Sequence, residues 1–158
     1  MKVACVEPTL EAIDALEGVD AFCLMVASDD RPLSGAAGFL DWRLLGALSR
    51  VLLNGFFKGE LGEKLLIPTQ GKVPPVKAFA LGVGPGATID VNVLEEVLAD
   101  AAQVLKKAGV TSVALALPEA GGVSDTGRAE AVRGKFGPLF GGSVVLLADK
   151  GVKHALEK

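Results

Sequence analysis

Residues Leu33 to Gly86 read LSGAAGFLDWRLLGALSRVLLNGFFKGELGEKLLIPTQGKVPPVKAFALGVGPG, and this stretch decides the fold. From Gly35 to Leu53 the apolar residues Phe39, Leu40, Trp42, Leu44, Leu45, Leu48, Val51 and Leu52 recur at spacings of three and four. That pattern predicts one helix, which Asn54 and Gly55 stop. Two apolar runs of strand length follow, Lys64 to Pro68 and Val76 to Val83, separated by a loop in which Pro74 and Pro75 exclude regular structure. The second run ends in a glycine turn.

The same alternation continues on both sides. Val3 to Val6 is a strand candidate, and Leu10 to Leu16 holds one or two helical turns with Thr9 as N-cap. Asp20 to Ala27 (DAFCLMVA) is almost wholly apolar, as expected of a strand covered on both faces. Asp90 can cap a helix through Val93, Val97, Leu98, Ala101, Leu105 and Ala108, with Gly109 as its stop. Thr111 to Leu117 reads as a strand, Thr126 to Lys135 as a shorter helix, and Ser143 to Ala148 as the last strand. Alternation of this kind predicts a three-layer α/β domain. Without a linker, internal repeat or low-complexity tract, residues 1–158 read as one domain.

Composition sets bounds on the function. At 158 residues, half of them apolar, the chain has the size to bury roughly 70% of its unfolded surface around one core. No apolar run reaches the roughly 18 to 20 residues that cross a bilayer, and MKVACVEP lacks the features of a secretory signal, so a cytoplasmic location without membrane contact is expected. Sixteen basic against nineteen acidic residues give a net charge of -3 with no basic cluster, which argues against nucleic acid as a partner. Cys5 and Cys23 sit in apolar runs and read as reduced, buried thiols. The one histidine, His154, lies in the polar tail without a partner at ligand spacing and reads as a solvated surface residue. With no second histidine, HExxH and paired-His metal sites are excluded, and the sequence calls for no metal and no cofactor. The adjacent carboxylates Asp29 with Asp30, and Glu95 with Glu96, read as solvated charges.

Chemistry, if present, belongs to three loops placed where α/β sheets hold ligands, beyond the carboxyl ends of strands. In the first, SDDRPLSGAAG, Ser34 and Gly35 lie close to a helix start. The second, GVGPGAT, offers Gly82, Gly84, Gly86 and Thr88, although Pro85 removes an amide that a dinucleotide fingerprint needs. The third, PEAGGVSDTG, offers Gly121, Gly122, Ser124 and Thr126, the composition of an amide nest for phosphate. These glycines equally serve tight strand-to-helix turns.

The segments DAFCLMVA, FLDWRLLGALSRVL, FKGELGEKLLIPT and FALGVGPG together resemble the N-terminal domain of the leucyl aminopeptidase family, and the likeness extends over most of the chain. In that family catalysis belongs to a separate C-terminal domain with two metal ions and a signature like NTDAEGR, of which these residues hold no counterpart. The resemblance therefore implies a noncatalytic assembly module, partnered by copies of itself or by an aminopeptidase, and not the peptidase activity. It also implies a macro-domain-like mixed sheet flanked by helices, since that N-terminal domain is similar to macro domains, which bind ADP-ribose. VEPTLEAI, DAFCLMVAS, SGAAG and LPEAGGVSD lie where macro domains carry their GDIT-like, NAAN-containing, GGGVA-like and STGIFG-like segments. Val26, Ala27 and Ser28 replace the NAAN asparagines, so hydrolysis of ADP-ribose linkages does not carry over.

Two functions of different class follow. One is assembly or regulation by protein contact. The other is binding of ADP-ribose or a nucleotide diphosphate, with the two later glycine loops around the diphosphate and Glu7 or Asp20 near the base.

Overall fold

A computed structural model describes residues 2–119 and 121–158 of the chain. Among them, six strands form one sheet in the order β1-β6-β5-β2-β4-β3: β1 (Lys2–Val6), β2 (Ala21–Ala27), β3 (Lys64–Pro68), β4 (Lys77–Gly84), β5 (Ser112–Ala116) and β6 (Ser143–Leu147). All neighbouring pairs are parallel except β3 with β4, so the sheet is mixed, as expected. Every residue of β2 is buried, which explains why that run carries no polar side chain.

Alternate residues of β2 feed two cores. Phe22, Leu24 and Val26 pack with Ile13, Leu40 and Leu48 from α1 (Leu10–Asp14), α2 (Gly35–Arg43) and α3 (Ala47–Leu53). Cys23 and Met25 face the opposite layer, where α4 (Val91–Lys107) inserts Leu94, Leu98 and Leu105. Side chains of α5 (Asp125–Ala131), α6 (Gly137–Phe140) and α7 (Lys150–Glu157) complete that second layer. The caps read from sequence are made: Thr9 Oγ1 accepts from Ala12 N at 3.0 Å, and Asp90 Oδ1 accepts from Val93 N at 2.9 Å.

The structure corrects three expectations. The helix read from Gly35 to Leu53 is two helices. Leu45 and Gly46 take left-handed backbone (φ 57° and 81°), and the Asp41 carboxylate accepts hydrogen bonds from Leu48 N (2.8 Å), Ser49 N (3.2 Å) and Ser49 Oγ. A side chain from α2 thus supplies the N-cap of α3, and its satisfied donors hold Leu45 in a conformation unfavourable to a side chain by about 1–2 kcal/mol. The helix expected from Thr126 to Lys135 starts at Asp125, widens into a π turn over Val132–Phe136 and continues as α6, with Phe136 stacked on Phe140 at 5.2 Å. The segment holding His154, read as a polar tail, is α7, capped by Asp149 through Val152 N.

Replacing Asp41 by Ala leaves two α3 amides and the Ser49 hydroxyl without their acceptor. Calorimetry should record a loss of about 2 kcal/mol, or a fall in Tm of about 4–8 °C. Asp41→Asn, which keeps one acceptor oxygen, should lose about half as much.

Candidate functional site

The connection leaving β2 runs to one face of the sheet, whereas those leaving β4 and β5 run to the other, so a crevice is expected at their carboxyl ends. Loops 28–34, 85–90 and 117–124 do meet there, and they are tied together. Gly86 N donates to Asp29 Oδ1 (2.9 Å), Gly122 N to Ile89 O (3.0 Å), and Arg128 Nη2 to Glu119 O (3.4 Å). A Cβ built on Gly35 would stand 2.0 Å from Glu119 Oε1, so the Glu119 carboxyl lies directly over Gly35.

The glycine amides of the second loop are engaged within the protein. Gly82 N donates to Glu63 O and Gly84 N to Gly59 O, both at 2.9 Å, and Thr88 N donates to Pro85 O at 3.1 Å. Both glycine acceptors belong to loop 58–63, which Glu63 organises by accepting Lys58 N (3.1 Å) and Glu60 N (2.8 Å) on Oε1. The loop lies so close to β4 that a Cβ on Gly82 would come within 2.0 Å of Glu60 O. Gly82 is therefore required for backbone packing. An amide already paired to a carbonyl or carboxylate has nothing left to give an incoming phosphate.

Carboxylates and arginines both border the crevice. Partial burial of the carboxyl of the otherwise exposed Glu119 raises its pKa; Arg128 lowers it, whereas Asp149 and Asp30 raise it further. Ser34 Oγ is taken up by Asp30 Oδ1 at 2.9 Å, and Ser124 Oγ accepts Gly127 N at 3.0 Å as the cap of α5. Thr126 is exposed beside it. Among the described residues no three His, Cys, Asp or Glu side chains converge as metal ligands. Burial pushes the Cys23 thiol up to about 12 and raises that of Cys5, which keeps both protonated and unreactive near neutrality.

A second concavity lies on the outer side of α2 and α3. It is a groove of about 610 Å³ lined by Pro32, Leu33, Gly38, Asp41, Trp42, Leu45, Gly46 and Ser49. Trp42 and Leu45 stand 71% and 68% exposed at its edge, and Leu53 is 86% exposed along an adjoining depression that shares Pro32, Leu33 and Ser49. This apolar face is built in part on the β2–α2 loop, through Pro32 and Leu33, and shares no lining residue with the two later glycine loops.

The comparisons with known proteins agree with this architecture. Residues 19–134 match the model of the cytosol aminopeptidase family, N-terminal domain. The chain belongs to the cytosol aminopeptidase family. It is 28% identical to a probable cytosol aminopeptidase of Geobacter sulfurreducens over 127 residues, covering 80% of this chain and 26% of that protein. It is 29% identical over 97 residues to one of Alkaliphilus metalliredigens, covering 61% and 19%. The chain thus spans about a quarter of the length, or less, of these curated relatives. Among solved structures, a mutant of tomato leucine aminopeptidase superposes with a TM-score of 0.68 at 14% identity, over 99% of this chain and 35% of that one. A Trypanosoma brucei macrodomain solved with ADP-ribose superposes with a TM-score of 0.74 at 14% identity, over 98% and 67%. These likenesses establish the macrodomain-like α/β fold. No helix among the described residues is long and apolar enough to cross a membrane.

Within this family's N-terminal domain the residues read from sequence fall into place unequally. Ser34, Gly86, Thr88, Gly121, Gly122 and Ser124 lie on connections at the carboxyl end of the sheet, and Gly35 and Thr126 in the first turns of α2 and α5 at the same end. Gly82 and Gly84 belong to β4 itself and face loop 58–63. Ala120, within the third loop, lies outside the described residues. Asp20 cannot serve a ligand in the crevice. It precedes β2 at the opposite end of the sheet, a strand length of about 20 Å away, where Thr111 N (2.9 Å), Thr111 Oγ1 (3.0 Å) and Ser112 N (3.1 Å) donate to Oδ2. Those bonds, that from Thr111 N foremost, lower its pKa. Glu7 does lie at the carboxyl end of β1, exposed and 3.9 Å from Lys150 Nζ. Reading the sequence missed the anchoring role of Asp29 and the position of Glu119 over Gly35; the one signal was a pair of aspartates directly after a buried strand.

Two measurements check this geometry. Gly82→Ala should destabilise the fold by at least about 2 kcal/mol in urea titration, because backbone and not a mobile side chain meets the new methyl. Glu119 has a folded pKa above its unfolded one, so its contribution to stability is favourable in acid and is lost as pH rises through the folded value. Glu119→Gln should therefore raise Tm slightly at pH 7, since solvent screening keeps the effect of an exposed carboxylate small. The gain should vanish near pH 4.

Proposed function

We propose that this domain is a noncatalytic assembly or regulatory module, without a peptidase active site of its own, that works by binding protein through the outer face of α2 and α3. The observation that carries the reading is the exposure of Trp42, Leu45 and Leu53 around one groove. Apolar side chains of this size, contiguous and in water, mark interaction surfaces in folded domains. The groove lining carries one charged residue, Asp41, whose carboxylate is turned to the α3 amides, so an apolar protein surface fits it better than a charged ligand does. Light scattering, together with capture by a purified cytosol aminopeptidase of the same cell, tests the reading. An oligomer or a complex is expected, and Trp42→Ala should weaken whichever forms.

A second reading, binding of ADP-ribose or a nucleotide diphosphate in the crevice, draws support from the fold shared with a macrodomain solved with ADP-ribose. Against it stand the Asp29 carboxylate on Gly86 N and the internal pairing of the Gly82, Gly84, Thr88 and Gly122 amides. Calorimetric titration with ADP-ribose and ADP separates the readings. The first expects no heat at millimolar ligand. The second expects a saturable signal that Gly122→Val abolishes.

A further inference from the structure

We propose that the partner covering the α2–α3 face is a second copy of this chain, related by a two-fold axis that seats Trp42 of each copy in the groove of the other. The inference rests on the reading of this face as a protein-binding surface and goes beyond it by naming the occupant.

Self-complementarity is the first argument. A two-fold interface uses the same patch on both copies, so the patch must carry both a projection and the recess that receives it. Here both occur side by side. Trp42 and Leu45 project at the groove edge, while Gly38 and Gly46 contribute no side chains to its wall. The groove, at about 610 Å³, falls within the range of about 300–1,000 Å³ that accepts a drug-sized group. An indole ring fits with room for a neighbouring leucine.

Area is the second argument. A buried aromatic side chain contributes about 150–250 Å². At their fractional exposures, Trp42 (71%) and Phe39 (38%), one turn before it on α2, therefore offer about 200 Å² between them. Leu45 and Leu53, at 68% and 86%, bring the exposed apolar area to about 450 Å², over half of the roughly 800 Å² per partner of a stable, specific interface. The polar rim supplies the remainder.

Charge is the third. The arginines around this face are already engaged: Arg31, beside the adjoining depression, donates to Asp30 O (3.0 Å) and Lys58 O (3.1 Å), Arg43 forms a two-bond pair with Asp14 (2.9 and 2.6 Å), and Arg50 Nη1 donates to Leu45 O at 2.7 Å. Two such faces can meet without placing an unpaired charge at the centre.

The chain has one tryptophan, Trp42, so its fluorescence reports directly on the proposed contact. Sedimentation velocity and tryptophan emission are followed on the full chain from low micromolar to several hundred micromolar. Mass should double from 16.2 kDa as concentration rises. Over the same range Trp42 emission should shift to shorter wavelength and lose its quenching by acrylamide. Trp42→Ala should weaken dimerisation at least about thirtyfold, the effect of a central anchor residue. Leu45→Glu, which keeps the reporter, should leave a folded monomer with a fully quenchable Trp42. Both positions are exposed, and circular dichroism confirms that the variants fold. A monomer at every concentration with Trp42 open to quencher overturns the proposal, as does a dimer that survives both variants. If that monomer still captures a cytosol aminopeptidase through Trp42, the two-fold proposal falls and the protein-binding reading stands. If it captures nothing, both fall.

Discussion

The Asp41 carboxylate takes hydrogen bonds from Leu48 N, Ser49 N and Ser49 Oγ, and the shape of the outer helical layer depends on them. Apolar spacing alone would continue one helix through Leu53. The aspartate instead rewards a break, because a cap on α3 satisfies amides that an unbroken helix would pair with its own carbonyls. The break turns Leu45 and Gly46 into left-handed backbone and opens the groove beside Trp42. Burial makes the arrangement firm: Asp41 is 9% exposed, and losing a partner of a buried charge costs more than the pair itself contributes.

At the end of the sheet where related folds hold ligands, this chain binds itself. Loop 58–63 covers β4 and takes two glycine amides, Asp29 takes a third, and Glu119 lies over Gly35. Gly82, in β4, is explained by close backbone approach, and Gly84 and Gly121 by their positive φ. Together these features support the proposal that protein binds at the exposed apolar face of α2 and α3.

Much of this was legible in the sequence, and the parts that were not share a physical cause. β2 and β4 were readable because strands buried on both faces are written as unbroken apolar runs. Thr9 and Asp90 were readable because caps act on their own helix. Asp41 acts on a helix seven residues onward, and Asp29 on an amide 57 residues away, so neither role has a local signature. α7 has a local one, Asp149 followed by Val152 and Ala155, but its short apolar stripe is diluted by charge. Asp20 looked like a ligand residue because it borders the central strand. It precedes β2, however, so in a sheet whose neighbouring strands run parallel its position in the sequence already puts it at the amino end, away from the crevice.

We propose that this domain offers its α2–α3 face to protein and leaves its crevice to its own loops. Hydrogen–deuterium exchange on the full chain tests both halves in one measurement, comparing dilute protein, concentrated protein and dilute protein with millimolar ADP-ribose. The account predicts protection across residues 33–53 on concentration, and none in residues 85–90 or 118–124 on adding ADP-ribose. Protection of those two loops by ADP-ribose, with residues 33–53 unchanged at high concentration, would contradict it.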